Sequence, residues 1–222
     1  MSNKDLIVPE SSAGDKVHSL TKAGLSAIPI LGGPAAELFQ SIIQPPLEKR
    51  RLEWMDRVGK KLQSLEQSGV NLENLKENDE FISAVMSASQ IALRTHKEEK
   101  LDSLRNAVAN IAKGQAPEET IQQIFFNFID TFTELHVQIL KVFKSPSLPP
   151  NLFMGGLSDV LIHNIPRLNG QRILYDQIWK DLYSKGLVFP DSLHITSSHS
   201  DLASKHTTSL GDEFLQFMSD PE

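Results

Sequence analysis

The stretch Ile121-Gln122-Gln123-Ile124-Phe125-Phe126-Asn127-Phe128-Ile129-Asp130-Thr131-Phe132-Thr133-Glu134-Leu135-His136-Val137-Gln138-Ile139-Leu140-Lys141-Val142 decides the fold. Ile121, Phe125, Phe128, Phe132, Leu135, Ile139 and Val142 alternate steps of four and three, a heptad seam about three heptads long. Phe126, Ile129 and Leu140 lie off the seam and thicken the apolar face. A face this thick predicts a central core helix, not an exposed coiled coil. Thr131 and Thr133 can each cap, so the stretch is expected to split into two helices.

Upstream, helical patterning continues. Asp15 is placed to cap a helix running to about Ile28, and Pro29 with Gly32-Gly33 breaks it. Pro34 then occupies a first helical position, where its missing N–H costs nothing. The helix it opens carries Leu38, Phe39, Ile42 and Ile43. Pro45-Pro46 is read as a hard corner. The next helix runs from Leu47 to about Gln67 with Met55, Val58, Leu62 and Leu65 inward and charge on its other face. Asn78 or Asp79 begins another, with Phe81, Ile82, Val85, Met86, Ala92 and Leu93 inward. Leu101, Leu104, Val108 and Ile111 mark one more, closed by Gly114.

Downstream, Ser145 to Asn151 with three prolines reads as a linker or extended loop. Leu157 to Ile165 and Gly170 to Ser184 read as helices, the second ended by Gly186. Leu187-Val188-Phe189 is an expected strand, and Leu193 to Thr196 a candidate one. Thr196 to Lys205 is polar and expected to be mobile. A last helix begins near Ser209 or Gly211 and buries Phe214, Leu215 and Phe217. The resulting expectation is a mainly α protein: a flexible tail (1–14), a helical domain (15–130) and a C-terminal subdomain (131–222) with a small β-hairpin.

Composition limits the chemistry. Of 222 residues, 40 % are hydrophobic and 23 % charged, which supports a packed core. The chain has no cysteine, which removes disulfides, thiolate zinc sites and cysteine nucleophiles and fits a reducing cytosol. The N-terminal Met1-Ser2-Asn3-Lys4-Asp5 shows no cationic region leading into an apolar core, so a cytoplasmic location is expected. The net charge of −6 is uneven. Residues 145–222 carry five basic and nine acidic side chains, which disfavours DNA as a partner of that part.

From Thr131 to Met218 the order is helix, helix, helix, strand, polar tip, strand, helix. Ile173 to Val188 resembles a recognition-type helix entering a first wing strand. Thr207 to Phe217 resembles the return strand and closing helix of bacterial winged-helix domains. That resemblance implies candidate nucleic-acid contacts at Asn169, Gln171, Arg172, Gln177, Lys180 and Lys185. Asp176, Asp181 and Asp191 oppose them, and the alternative is a winged helix used for packing or partner binding.

Other constellations are weaker. His194, His199 and His206 lie near Asp191 and Asp201, and imidazoles with carboxylates can bind zinc. Their spacing is that of a polar loop, so no metal and no cofactor is expected. Gly32-Gly33-Pro34 could cradle an anion at a helix start, but a phosphate loop would add a strand and a Lys-Ser/Thr pair. Glu98-Glu99 lies among lysines as a solvated face. No catalytic residues are assigned, no small-molecule substrate is evident, and a non-enzymatic role is expected. The apolar segment 23–43, followed by Lys49, Arg50, Arg51 and Trp54, reads as packing under the bundle, with peripheral membrane contact as the alternative.

The layout as a whole is similar to bacterial proteins of the abortive-infection alpha family. An apolar Gly/Pro segment leads to a charged, Trp-bearing helix (47–65). Then come Lys100-Leu101-Asp102-Ser103-Leu104-Arg105-Asn106-Ala107 and a helix ending His136-Val137-Gln138-Ile139-Leu140-Lys141-Val142-Phe143. The resemblance implies a role in phage defence through protein partners or self-association, and carries over no catalytic residue.

Overall fold

The computed structural model describes the backbone of residues 34–221 and the side chains of residues 46–221. The expected tail 1–14, the helix 15–28 and the Gly32-Gly33 break lie outside the described residues, as do the side chains of Leu38, Phe39, Ile42 and Ile43. Residues 1–49 and 50–222 form separate compact units. In the first, the described part is entirely helical from Pro34 onward.

The protein is mainly helical. Helix α1 spans Pro34–Gln67, α2 Asp79–Arg94, α3 Glu98–Ala112, α4 Glu119–Thr131 and α5 Glu134–Lys144. A short strand β1 (Met154–Gly155) precedes α6 (Leu157–Asn164) and α7 (Arg172–Ser184). Strand β2 (Ser197–Ser198) leads directly into α8 (His199–Leu202), and α9 (Ser209–Phe217) closes the chain. The corner expected at Pro45-Pro46 is instead continuous helix within α1. Proline's fixed φ near −65° lies in the helical range, while each ring costs the helix an amide donor and crowds the carbonyl four residues back.

The decisive stretch splits as its threonines predict. Helix α4 ends at Thr131, Phe132 is extended, and Thr133 caps α5. The Thr133 N–H donates to His136 Nδ1 at 3.2 Å, which satisfies a donor at the helix start. Phe125, Phe128, Phe132 and Ile139 are buried, as are Phe126, Ile129 and Leu140 from beside the seam. Helix α9 lies against this face. Phe214 meets Phe125 at 5.2 Å between ring centroids, Phe128 at 5.6 Å and Phe132 at 6.0 Å, and Phe217 meets Phe125 and Phe126 at 5.4 Å each. The aromatic cluster therefore joins residues on both sides of position 131.

Both ends of α9 are fixed. Thr208 accepts the Gly211 N–H, and a Cβ at Gly211 would lie 2.3 Å from the Leu187 carbonyl oxygen, so only glycine allows this approach. At the other end, the buried Asn110 amide donates to the carbonyls of Phe217 at 3.0 Å and Ser219 at 2.9 Å, and Asn106 donates to Met218. These bonds occupy carbonyls that a helix end leaves without partners.

The inward faces of the first helices differ in part from the sequence reading. On α1 it is Trp54, with Val58 and Leu65, that is buried, and Met55 is exposed. The Trp54 indole donates to Ser89 at 2.8 Å, which sets the rotation of α1 against α2. On α2, Ala84, Ala88 and Ile91 are buried with Phe81 and Ala92, while Ile82 and Met86 are exposed. Asn78 caps this helix by accepting from the Phe81 N–H.

The small sheet is antiparallel, with Met154 opposite Ser198 and Gly155 opposite Ser197. Val188 pairs with Thr207 in a single antiparallel bridge. Leu193 to Thr196 is turn, not strand, because the Leu193 carbonyl is taken by the Ser158 N–H at the start of α6. The segment expected to be mobile, 196–205, holds β2 and α8 and buries Leu202.

Candidate partner-binding surface

The six residues proposed for nucleic-acid contact are all exposed. Helical spacing puts Gln177 and Lys180 on the outward stripe of α7 with Ile173 and Ser184, and leaves Arg172 and Lys185 on opposite flanks. Asn169 and Gln171 precede the helix. Two of the six are engaged: Arg172 Nε donates to Asp176 at 3.3 Å, and Gln177 to Asp181 at 2.9 Å. Lys180 is the one cation on the outward stripe. The side chain that stands out there is Ile173, 90 % exposed.

The histidines expected to cluster take three separate partners. His194 Nε2 lies 2.7 Å from Asp176, His199 Nδ1 meets the Leu152 carbonyl at 2.8 Å, and His206 Nε2 meets the Asp201 carbonyl at 3.0 Å. His206 is buried beside Phe143 and Phe189, and its Nδ1 has no hydrogen-bond partner in the structure. Burial holds its pKa below the usual histidine value. Among the described residues no three His, Asp or Glu side chains are grouped to hold a metal.

The His194–Asp176 bond has a further consequence: it pins the segment after Pro190 to the first turns of α7. Tyr175 packs within 6.1 Å of the His194 ring. Burial raises the Tyr175 hydroxyl pKa, and the Asp176 and Asp159 carboxylates add to the effect. Asp159 accepts the Gly156 N–H at 2.9 Å and so fixes the β1–α6 turn. Gly156 in turn lies against the backbone of Leu193 and His194. The β1 end, the 191–198 segment and the start of α7 thus meet around Tyr175.

Large apolar side chains project from this junction. Phe153 is 76 % exposed, Met154 68 % and Ile173 90 %, with Leu174 and Ile195 half exposed. None is needed to complete the core below, where Trp179, Leu187, Leu193 and Leu202 are buried. Exposed apolar side chains scattered singly are ordinary; here the pairing of β1 with β2 and the contacts of His194 with Gly156 and Asp176 bring the segments that carry them together. The sequence reading did not single out Phe153 and Met154. Their signal was an apolar pair in a turn-rich segment, between Pro149-Pro150 and Gly155-Gly156, with no helix to pack them.

Two clefts complete the surface. One, of 710 Å³, lies between α1, the end of α2 and the start of α3 and is lined by Arg50, Arg57, Lys60, Lys61 and Arg105. These cations are engaged: Arg57 with Glu98 at 2.6 Å and Asp102 at 2.8 Å, Arg105 with Asp102, Lys60 with Asp56, Lys61 with Asp220, and Arg50 with the Leu93 carbonyl. Burial works against the charged Arg57, but Glu98 and Asp102 outweigh it and raise its pKa. The second cleft, of 490 Å³, has Ile129, Phe132, Leu215 and Met218 at its base. Lys100 at its edge donates to the Asp130 carbonyl, and burial lowers its pKa despite the carboxylates nearby. Trp54, read as a possible headgroup contact, is 5 % exposed and faces α2. No helix among the described residues is long and apolar enough to cross a membrane.

Compared with protein-family models, with curated proteins and with solved structures, the chain matches none.

Proposed function

We propose that the chain is a non-enzymatic interaction module that binds a protein partner, or a second copy of itself, through the surface formed by β1, the 191–198 segment and the start of α7. The observation that carries this reading is the joint exposure of Phe153, Met154 and Ile173 on a junction held by the His194–Asp176 contact. Such a patch costs solubility when left bare, and covering it is favourable by about 25 cal/mol per Å² of apolar area removed from water. The setting in phage defence rests on the layout resemblance alone.

The test is the native size of the tagged chain in extracts of the cells that make it. An assembly larger than the monomer is expected, and the triple variant Phe153→Asp, Met154→Asp, Ile173→Asp is expected to run as a folded monomer. Identical migration of the two proteins would overturn the reading. A DNA-binding reading is favoured by the exposure of Gln171, Gln177, Lys180 and Lys185 on and beside α7, which runs into the Val188–Thr207 bridge. It predicts binding to random duplex DNA that weakens steeply with salt, and an assembly that nuclease dissolves.

A further inference from the structure

Within the interaction reading, on which this inference rests, the charges around the apolar patch specify the chemistry of what covers it. Asp159, exposed, accepts the Gly156 N–H at 2.9 Å beside β1, and Asp176 lies one turn along α7 from Ile173. Asp191, exposed, lies three residues before His194, and Asp201, also exposed, follows β2 in the single turn of α8. Asp176 is already met by Arg172 Nε on one oxygen and by His194 Nε2 on the other, so the rim charge left to a partner is that of Asp159, Asp191 and Asp201. His194 is committed to Asp176, and His199 to a backbone carbonyl.

We propose that this surface takes a cationic, amphipathic peptide segment of a protein partner, one whose apolar side chains cover Phe153, Met154 and Ile173 while its Lys or Arg side chains face Asp159, Asp191 and Asp201. Opposite charge at the rim steers encounter and fixes orientation, and like charge there rejects the wrong partner. The apolar centre supplies affinity without choosing sign, so the two contributions separate experimentally. An acidic segment would place its carboxylates against three others, and a neutral one would leave the rim without counter-charge. Each exposed rim pair is a weak contributor, so several together give roughly a tenfold preference.

The experiment uses the full chain and three fluorescent synthetic peptides of identical apolar register, with polar positions all Lys, all Gln or all Glu. Anisotropy titrations are run at low and at physiological salt. The Lys peptide is expected to bind roughly tenfold more tightly than the Glu peptide, with the gap narrowing as salt rises. Ile173→Asp is expected to abolish binding of the Gln peptide. The double variant Asp191→Asn, Asp201→Asn, which leaves the His194–Asp176 contact intact, is expected to shrink the Lys-over-Glu preference by several-fold while keeping the Gln peptide's affinity. Tryptophan fluorescence, from Trp54 and Trp179 together, reports that each variant is folded. Equal affinity for the three peptides, preference for the Glu peptide, or no binding of any of them would overturn the inference. The native-size measurement judges the interaction reading separately, so a failure of charge selectivity is distinguishable from a failure of the patch.

Discussion

Replacing Phe214 by alanine should unsettle the chain from Trp54 to Trp179 in one step. Its ring is fully buried and packs against Phe125, Phe128 and Phe132, which lie far from α9 in sequence. Truncating a buried Phe in such surroundings costs ~4 kcal/mol from lost transfer energy and the cavity left behind. For a unit of this size that corresponds to a fall of roughly 8–16 °C in Tm. The chain has two tryptophans, which makes the reporter simple. Trp54 sits between α1 and α2, bonded to Ser89, and Trp179 sits in α7, bonded to the Pro190 carbonyl. Urea unfolding would be followed in the backgrounds Trp54→Phe and Trp179→Phe, each with and without Phe214→Ala. A shared core predicts that both reporters shift to lower urea by the same free energy. If the Trp54 transition stayed in place while the Trp179 transition moved, residues 131–222 would be an independent domain and the reasoning from the aromatic cluster would be wrong.

Further outcomes follow from the same structure. Asn110→Ala should cost about 2 kcal/mol in urea denaturation, since it leaves two carbonyls at the buried end of α9 without donors. Gly211→Ala should cost roughly 1–3 kcal/mol, because the new Cβ meets the Leu187 carbonyl, which is backbone and cannot swing away; a neutral variant would contradict that contact. Burial lowers the pKa of both His206 and His136, for His136 against the opposing pull of Asp181, so the folded chain binds fewer protons than the unfolded one near the ordinary value of 6.5. Their contribution to stability is therefore complete above that value and is lost as pH falls from it toward the folded-state values. Urea midpoints should drop between about pH 7 and about pH 5, and a folded His206→Gln variant should show a shallower slope; an unchanged slope would remove His206 from the account.

Much of the fold was legible because the controlling signals are local and chemical. The 121–142 seam had phenylalanines at steps a helix must present on one face, and Thr133 stood where a cap was needed. Gly114 and Gly186 both adopt positive φ just past the helices they were expected to end. What escaped the sequence depended on partners far along the chain. Met55 and Trp54 are adjacent and both apolar, and only the bond from Trp54 to Ser89 decides which faces inward. Ala84 and Ala88 are buried because they are small enough for helices to approach, a quality that a search for large apolar residues passes over. The strand pairing joins residues more than forty positions apart, and its two-residue strands leave no alternation to detect. The candidate surface shared that difficulty. Ile173 looked like one apolar residue in a helix start, and the segments that carry Phe153, Met154 and Ile195 are tied to that start through Gly156 against His194 and His194 on Asp176.

The central claim is that this junction, not another face, meets the partner. A photo-crosslinking residue placed singly at 153, 173 or 195, and for comparison at 82, 86 or 180, tests it in the cells that make the protein. The account predicts one adduct of common mass from 153, 173 and 195 and none from 82, 86 or 180. Adducts arising from 82 and 86 instead, or a DNA adduct from 180 alone, would contradict it.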